Sequence, residues 1–108
     1  MASPRASVLI CDDEPLIRDT LAEFLTQENF QVEAVGSGEE AVTRAGEQFF
    51  DVVLCDFNLP GIDGMEVLQR VMAVNPEVFF LLITAYGTVE SAVEAFHRGA
   101  QDLSLIHI

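Results

Sequence analysis

Short apolar runs alternate along the chain with longer stretches in which apolar residues recur every three or four positions. The short runs predict β-strands, and the longer stretches predict amphipathic helices. The predicted strands are Ser7 to Cys11, Phe30 to Ala34, Val52 to Cys55 and Val78 to Ile83. The predicted helices begin near Pro15, Ser37, Met65 and Val89, and they end near Glu28, Gly46, Asn75 and Gly99. Strands and helices therefore alternate, which predicts a parallel sheet covered by helices on both faces.

The second predicted strand differs from the other three. It alternates apolar and polar residues from Phe30 to Ala34, as an edge strand with one solvated face does. The others are continuous apolar runs, which are typical of strands buried on both faces. This distribution fits an α/β fold with a doubly wound parallel sheet of flavodoxin-like order 2-1-3-4-5, in which strands one and three are neighbours.

Acids follow the first and third predicted strands. Asp12 and Asp13 come directly after strand one, and Asp56 comes directly after strand three. Turn residues then continue to Gly64, so a loop opens beside Asp56. Ligands bind at the carboxyl ends of strands in such sheets. Three carboxylates placed there repel one another and raise each other's pKa, so we expect a divalent cation that prefers oxygen ligands, Mg²⁺ or Mn²⁺. Taken alone, Asp56 could instead be a loop aspartate that caps a turn.

Composition narrows the class of protein. The chain has 108 residues, enough for one domain, and no apolar run approaches the ~20 residues of a membrane span. The net charge is −13, so direct binding of nucleic acid by this domain is not expected. All five bases are arginine, and the chain has no lysine. Cys11 and Cys55 lack metal-ligand spacing and are interpreted as small buried apolar residues, compatible with a cytoplasmic protein.

Four motifs in order resemble the receiver domain of two-component response regulators, and the resemblance extends from Ser7 to Asp102. The motifs are Asp12-Asp13-Glu14-Pro15, then Asp56 with Asn58-Leu59-Pro60-Gly61 and Asp63-Gly64, then Thr84-Ala85, and finally Gly99-Ala100. Each is weak alone, but their order and separations make the combination specific. The segment from Thr84 to Ala92 is also similar to receivers attached to AAA+ activators of sigma-54 transcription (NtrC-like regulators).

The resemblance implies a role for each motif. Asp56 would accept a phosphoryl group from a sensor histidine kinase or a histidine phosphotransfer protein. Asp12, Asp13, Asp56 and the backbone carbonyl of Asn58 would hold Mg²⁺, and Thr84 would be the switch hydroxyl that closes on the phosphoryl oxygens. The chain would then be a cytoplasmic signalling module that switches an output, with transcription as the expected output. Its own chemistry would be limited to self-phosphorylation and slow self-dephosphorylation, so it would not otherwise be an enzyme.

The end of the chain departs from the family pattern. Receivers usually carry an aromatic residue, a lysine and a proline where this chain has Leu103, Ile106 and His107. We therefore expect an altered fifth strand and a missing fifth helix. Residues 1–6 are interpreted as a disordered lead, 7–102 as an incomplete receiver, and 103–108 as a non-native tail, because Leu-Ser-Leu-Ile-His-Ile matches one frame of a common transposon adapter. The alternative is a divergent fifth strand.

Two other classes of function are alternatives. A Mg²⁺-dependent phosphatase that forms an aspartyl-phosphate usually needs a second acid two residues after its nucleophile. That position is Asn58 here, which cannot act as an acid or base. An inert interaction module with the same fold is the other alternative. The missing lysine favours it for this chain, whereas the intact acids and switch hydroxyl argue against it in the parent protein; these residues are Asp12, Asp13, Asp56 and Thr84.

Overall fold

The structure is a computed structural model that describes residues 6–57, 59–84 and 103–107, with the backbone alone described for Thr84 and for 103–107. Its strands are β1 Ser7–Cys11, β2 Gln31–Val35, β3 Val52–Asp56, β4 Phe79–Thr84 and β5 Leu103–His107. Its helices are α1 Pro15–Gln27, α2 Gly38–Glu47 and α3 Gly64–Val74. These bounds lie close to those predicted from periodicity. The predicted fourth helix, which ends near Gly99, lies outside the described residues.

The strands form one parallel sheet in the order β2-β1-β3-β4-β5. The expected doubly wound, flavodoxin-like order is therefore confirmed. β2 is an edge strand, as its alternating sequence predicted, and β1 and β3 are neighbours. Their adjacency brings the acids that follow the two strands to the same edge of the sheet.

The segment Leu103–His107 takes the fifth position in the sheet. It pairs in parallel with β4, with Ile83 opposite Ile106 and Thr84 opposite His107. This pairing agrees with the interpretation of the segment as a divergent fifth strand. The non-native origin of residues 103–108 stays a prediction.

The core lies on the face of the sheet that packs against α2 and α3. Fully buried side chains of the three central strands join one cluster with residues of these helices; the strand members are Leu9, Cys11, Val53, Cys55, Phe80 and Leu82. α3 contributes the largest helical share, including Val67, Leu68 and Val71. By contrast, α1 has no buried residue, and Phe24 on its predicted apolar face is 58% exposed.

Side-chain caps fix the starts of two helices at the carboxyl edge of the sheet. The Ser37 hydroxyl oxygen accepts a hydrogen bond from the Glu40 backbone N–H (3.1 Å) at the start of α2. The Asp63 carboxylate accepts one from the Glu66 N–H (2.9 Å) at the start of α3. Within the part of the chain that the structure describes, the helices are too short or too polar to cross a bilayer.

Candidate functional site

The register between β1 and β3 positions the acids. Cys11 lies opposite Cys55. Asp12, which follows β1, and Asp56, the last residue of β3, therefore lie at the same level of the sheet. The Asp12 N–H also donates to the carbonyl of Val35 in β2 (3.2 Å), which holds the end of β1 between its two neighbours. The backbone at this edge is thus fixed by hydrogen bonds rather than left as a free loop.

Three carboxylates meet at this edge. Asp12, Asp13 and Asp56 each offer a carboxylate oxygen, and these oxygens all lie within 4.8 Å of one another. Asp12 is 3% exposed, Asp56 is half-buried and Asp13 is exposed, so the cluster has a buried floor and an open mouth. The ligand atoms are all oxygens. This donor set suits a hard divalent cation such as Mg²⁺.

The surroundings of Asp12 perturb the pKa of its carboxyl. Its pKa is raised above the usual value, first because burial disfavours the charged form. The Glu14 N–H opposes this shift by donating to the Asp12 carboxylate (2.8 Å), whereas the charge of Asp13 adds to it. Repulsion between carboxylates was the predicted cause, but for Asp12 burial is the larger one. A bound cation would offset both effects.

The two cysteines lie beneath the acids. Both are buried and neither is in a disulfide, which confirms their interpretation as small core residues. The pKa of the Cys55 thiol is raised by its hydrogen bond with the Cys11 thiol and by burial. A buried neutral thiol is a poor nucleophile and a poor metal ligand. The thiols therefore take no part in the chemistry of the acid cluster.

Of the remaining predicted site residues, Thr84 is described by its backbone alone and Asn58 is not described. Thr84 is the last residue of β4, next to the carboxyl end of β3, and its side chain lies outside the described residues. Asn58 also lies outside the described residues. The roles of Thr84 and of the Asn58 carbonyl stay predictions.

Arg18 is a residue of the site that the sequence reasoning missed. Its guanidinium donates to the carbonyl of Asp12 (3.3 Å), and its charge lowers the pKa of the Asp12 carboxyl. It therefore ties the second turn of α1 to the end of β1. A side chain that reaches back six positions along the chain has no signature in the periodic pattern.

Comparison with known proteins gives consistent results. The response regulator receiver domain family matches residues 8–104. The transcriptional regulatory protein ZraR of Escherichia coli (strain K12) is 36% identical over 102 residues, which make up 94% of this chain and 23% of ZraR. The chain thus spans less than a quarter of the length of that curated relative.

Two solved structures share the fold. The response regulator TrrA from Thermotoga maritima, in complex with Mg²⁺-BeF, is 30% identical with a TM-score of 0.82, covering 94% of this chain and 85% of TrrA. A response regulator from Burkholderia pseudomallei with a phosphorylated aspartic acid, a calcium ion and citrate is 25% identical with a TM-score of 0.83, covering 92% of this chain and 58% of that protein. Given the family match over most of its length, the chain belongs to the response regulator receiver domain family.

Proposed function

We propose that the chain is the phosphoacceptor module of a two-component system and that Asp56 is the acceptor. The observation that carries the proposal is the convergence of Asp12, Asp13 and Asp56 within 4.8 Å at the carboxyl ends of β1 and β3. A half-buried carboxylate beside two further acids provides both a nucleophile and a cation site. Phosphoryl transfer to a carboxylate needs these two components together.

The proposed step transfers one phosphoryl group. A carboxylate oxygen of Asp56 attacks phosphorus, the P–N bond of a phosphohistidine breaks, and the imidazole leaves with the bonding electron pair and takes up a proton. Bound Mg²⁺ would be held by Asp12, Asp13 and Asp56 and would offset the charge of the phosphoryl oxygens. Asp13, at the open mouth of the cluster, leaves the site accessible to a donor.

The buried floor of the site supports the same proposal. The Asp12 carboxylate is held by the Glu14 N–H at 2.8 Å, and the Asp12 carbonyl is held by Arg18 at 3.3 Å. These contacts orient Asp12 before a cation arrives, so less freedom is lost on binding. The burial that raises the Asp12 pKa also places a carboxylate where a cation is the natural compensation.

The partners follow from the family. The phosphoryl donor would be a sensor histidine kinase or a histidine phosphotransfer protein in the cytoplasm. The output would be transcription, in keeping with relatives that are transcriptional regulatory proteins and with the similarity of the Thr84–Ala92 segment to receivers of sigma-54 activators. Self-phosphorylation from small donors and slow self-dephosphorylation would be the chain's own reactions. Asn58 at the position of a second acid disfavours the alternative phosphatase.

Labelling with acetyl phosphate tests the proposal. The wild-type chain should take up an acid-stable, hydroxylamine-labile phosphoryl group when Mg²⁺ is present and lose this ability with a chelator. Asp56→Asn should not be labelled. Asp51→Asn is the matched control, since it changes the acid immediately before the same strand and keeps an oxygen that accepts from the Ser7 N–H (2.9 Å). Equal labelling of Asp56→Asn and wild type would contradict the proposal.

A further inference from the structure

The first residue of α3 packs directly on the backbone of Asp56. A Cβ added at Gly64 would lie 2.6 Å from the Asp56 carbonyl oxygen and 2.8 Å from the Cα of Phe57. Both contacts are with backbone atoms, so no change of side-chain rotamer could relieve them. Gly64 is therefore a glycine because of the space available, and α3 approaches β3 more closely here than any other residue type would allow.

The residue after Asp56 is held from two sides. The Phe57 N–H donates to the carbonyl of Ile83 in β4 (2.9 Å), and the Phe57 carbonyl accepts from the Gly64 N–H (3.1 Å). The Gly64 bond in turn depends on the start of α3, which the Asp63 carboxylate caps through the Glu66 N–H. The backbone that carries the Asp56 carboxylate is thus held between β4 and the first turn of α3.

We infer that Asp63 and Gly64 are positioning residues that set the place of the Asp56 carboxylate for cation binding and phosphoryl acceptance. The inference rests on the proposed function, because it concerns the same carboxylate. Reacting groups must be held in near-attack geometry, and a displacement of about 1 Å can reduce a rate by about 100-fold. Neither residue needs to touch the phosphoryl group to have this effect.

Two positions elsewhere in the chain offer matched controls. Gly46 lies near the end of α2, and a Cβ added there would meet no atom within 4 Å, so Gly46→Ala is the control for a glycine-to-alanine change that leaves the start of α3 untouched. Ser37 caps α2 as Asp63 caps α3, so Ser37→Ala removes an equivalent cap from the neighbouring helix. Asp63→Asn removes the charge and keeps a capping oxygen.

The experiment measures the rate of labelling by acetyl phosphate, the dissociation constant for Mg²⁺ and the melting temperature of each variant. We expect Asp63→Ala to slow labelling by about tenfold and to weaken Mg²⁺ binding, because the start of α3 no longer holds Phe57. Ser37→Ala and Asp63→Asn should keep the wild-type rate. Gly64→Ala should be slowed by about 100-fold, while Gly46→Ala keeps the wild-type rate.

Equal rates and equal Mg²⁺ affinities for Asp63→Ala and Ser37→Ala would overturn the inference while leaving the proposed function intact. If Gly64→Ala does not fold, the comparison of the two cap variants decides the matter alone. A wild-type chain that takes up no label would overturn the proposed function instead. In that case the Mg²⁺ affinities of the cap variants still decide whether Asp63 positions Asp56.

Discussion

Cys11 of β1 lies directly opposite Cys55 of β3 in the parallel register. Both side chains are fully buried in the cluster that packs against α2 and α3. Because each cysteine immediately precedes an acid, their pairing brings Asp12 and Asp56 together at the end of the two strands. The backbone register at these two cysteines thus positions the acids, and the reactivity of the thiols has no part in this.

Removing the exposed acid of the cluster is expected to weaken cation binding. Asp13→Ala leaves two carboxylates to compensate for dehydration of Mg²⁺. We expect the dissociation constant measured by calorimetry to rise by at least about tenfold, the lower end of the effect of changes around metal ligands. Glu23→Ala, which removes an exposed acid from α1 that accepts from the Gln27 side chain (3.5 Å), is the control for charge alone. Unchanged affinity of Asp13→Ala would place the cation site elsewhere.

Neutralising the buried acid is expected to stabilise the metal-free chain. Burial raises the folded-state pKa of Asp12 above 3.8, so the folded chain binds this proton more tightly than the unfolded chain does. Stability is then lost as pH rises through the raised pKa, and at pH 7 the ionised carboxylate is a cost. Asp12→Asn removes that cost, and its side-chain oxygen can still accept from the Glu14 N–H.

The melting temperature of Asp12→Asn should therefore exceed that of the wild type in chelator at pH 7. The difference should shrink as pH falls towards 4. With saturating Mg²⁺ the order should reverse, because the cation stabilises only the chain that binds it. A lower melting temperature for Asp12→Asn in chelator would show that the carboxylate is not a cost to the fold.

If Thr84 is the switch hydroxyl, its removal should leave phosphorylation of Asp56 intact and reduce the conformational change that follows. Thr84→Ala should be labelled at Asp56 but should show smaller changes in backbone amide chemical shifts when beryllium fluoride is added. Thr84→Ser, which keeps a hydroxyl, should restore them. Thr43→Ala is the control, because the Thr43 hydroxyl donates within α2, to the Glu39 carbonyl (3.0 Å). Full shift changes in Thr84→Ala would remove Thr84 from the switch.

The strand register shows where a lysine can be introduced to test the effect of its absence. Asp56 lies opposite Ile83, and Ile83 lies opposite Ile106, so positions 56 and 106 share one line across the sheet. Ile106→Lys should tighten binding of beryllium fluoride by roughly ten- to a hundredfold, the equivalent of a charge-assisted hydrogen bond of about 1.5–3 kcal/mol. Ser104→Lys adds the same charge two residues earlier. An equal gain in both variants would indicate a general effect of charge.

Much of the fold could be predicted because its periodicity is regular. Continuous apolar runs mark the central strands, and alternation marks β2 as the edge strand. The meeting of Asp12 and Asp56 follows once strands one and three are neighbours, since parallel strands end at the same edge. These steps need only local pattern and topology.

Other features depend on distances that a pattern does not contain. The sequence pattern predicts Gly64 to be part of a turn, but it is the first residue of α3 and lies against the Asp56 carbonyl. The apolar stripe of α1 predicted which face turns inward but not that Phe24 stays largely exposed. The contact of Arg18 with the Asp12 carbonyl likewise depends on where the first helix lies over the sheet.

The most direct test of the account is to locate the phosphoryl group by mass spectrometry. The chain would be treated with acetyl phosphate and Mg²⁺, reduced with borohydride so that an aspartyl-phosphate becomes homoserine, digested and sequenced by tandem mass spectrometry. The account predicts homoserine at position 56, and none when Mg²⁺ is removed by a chelator. Homoserine at Asp12, at Asp13 or at another acid, or no homoserine at all in a folded chain, would contradict it.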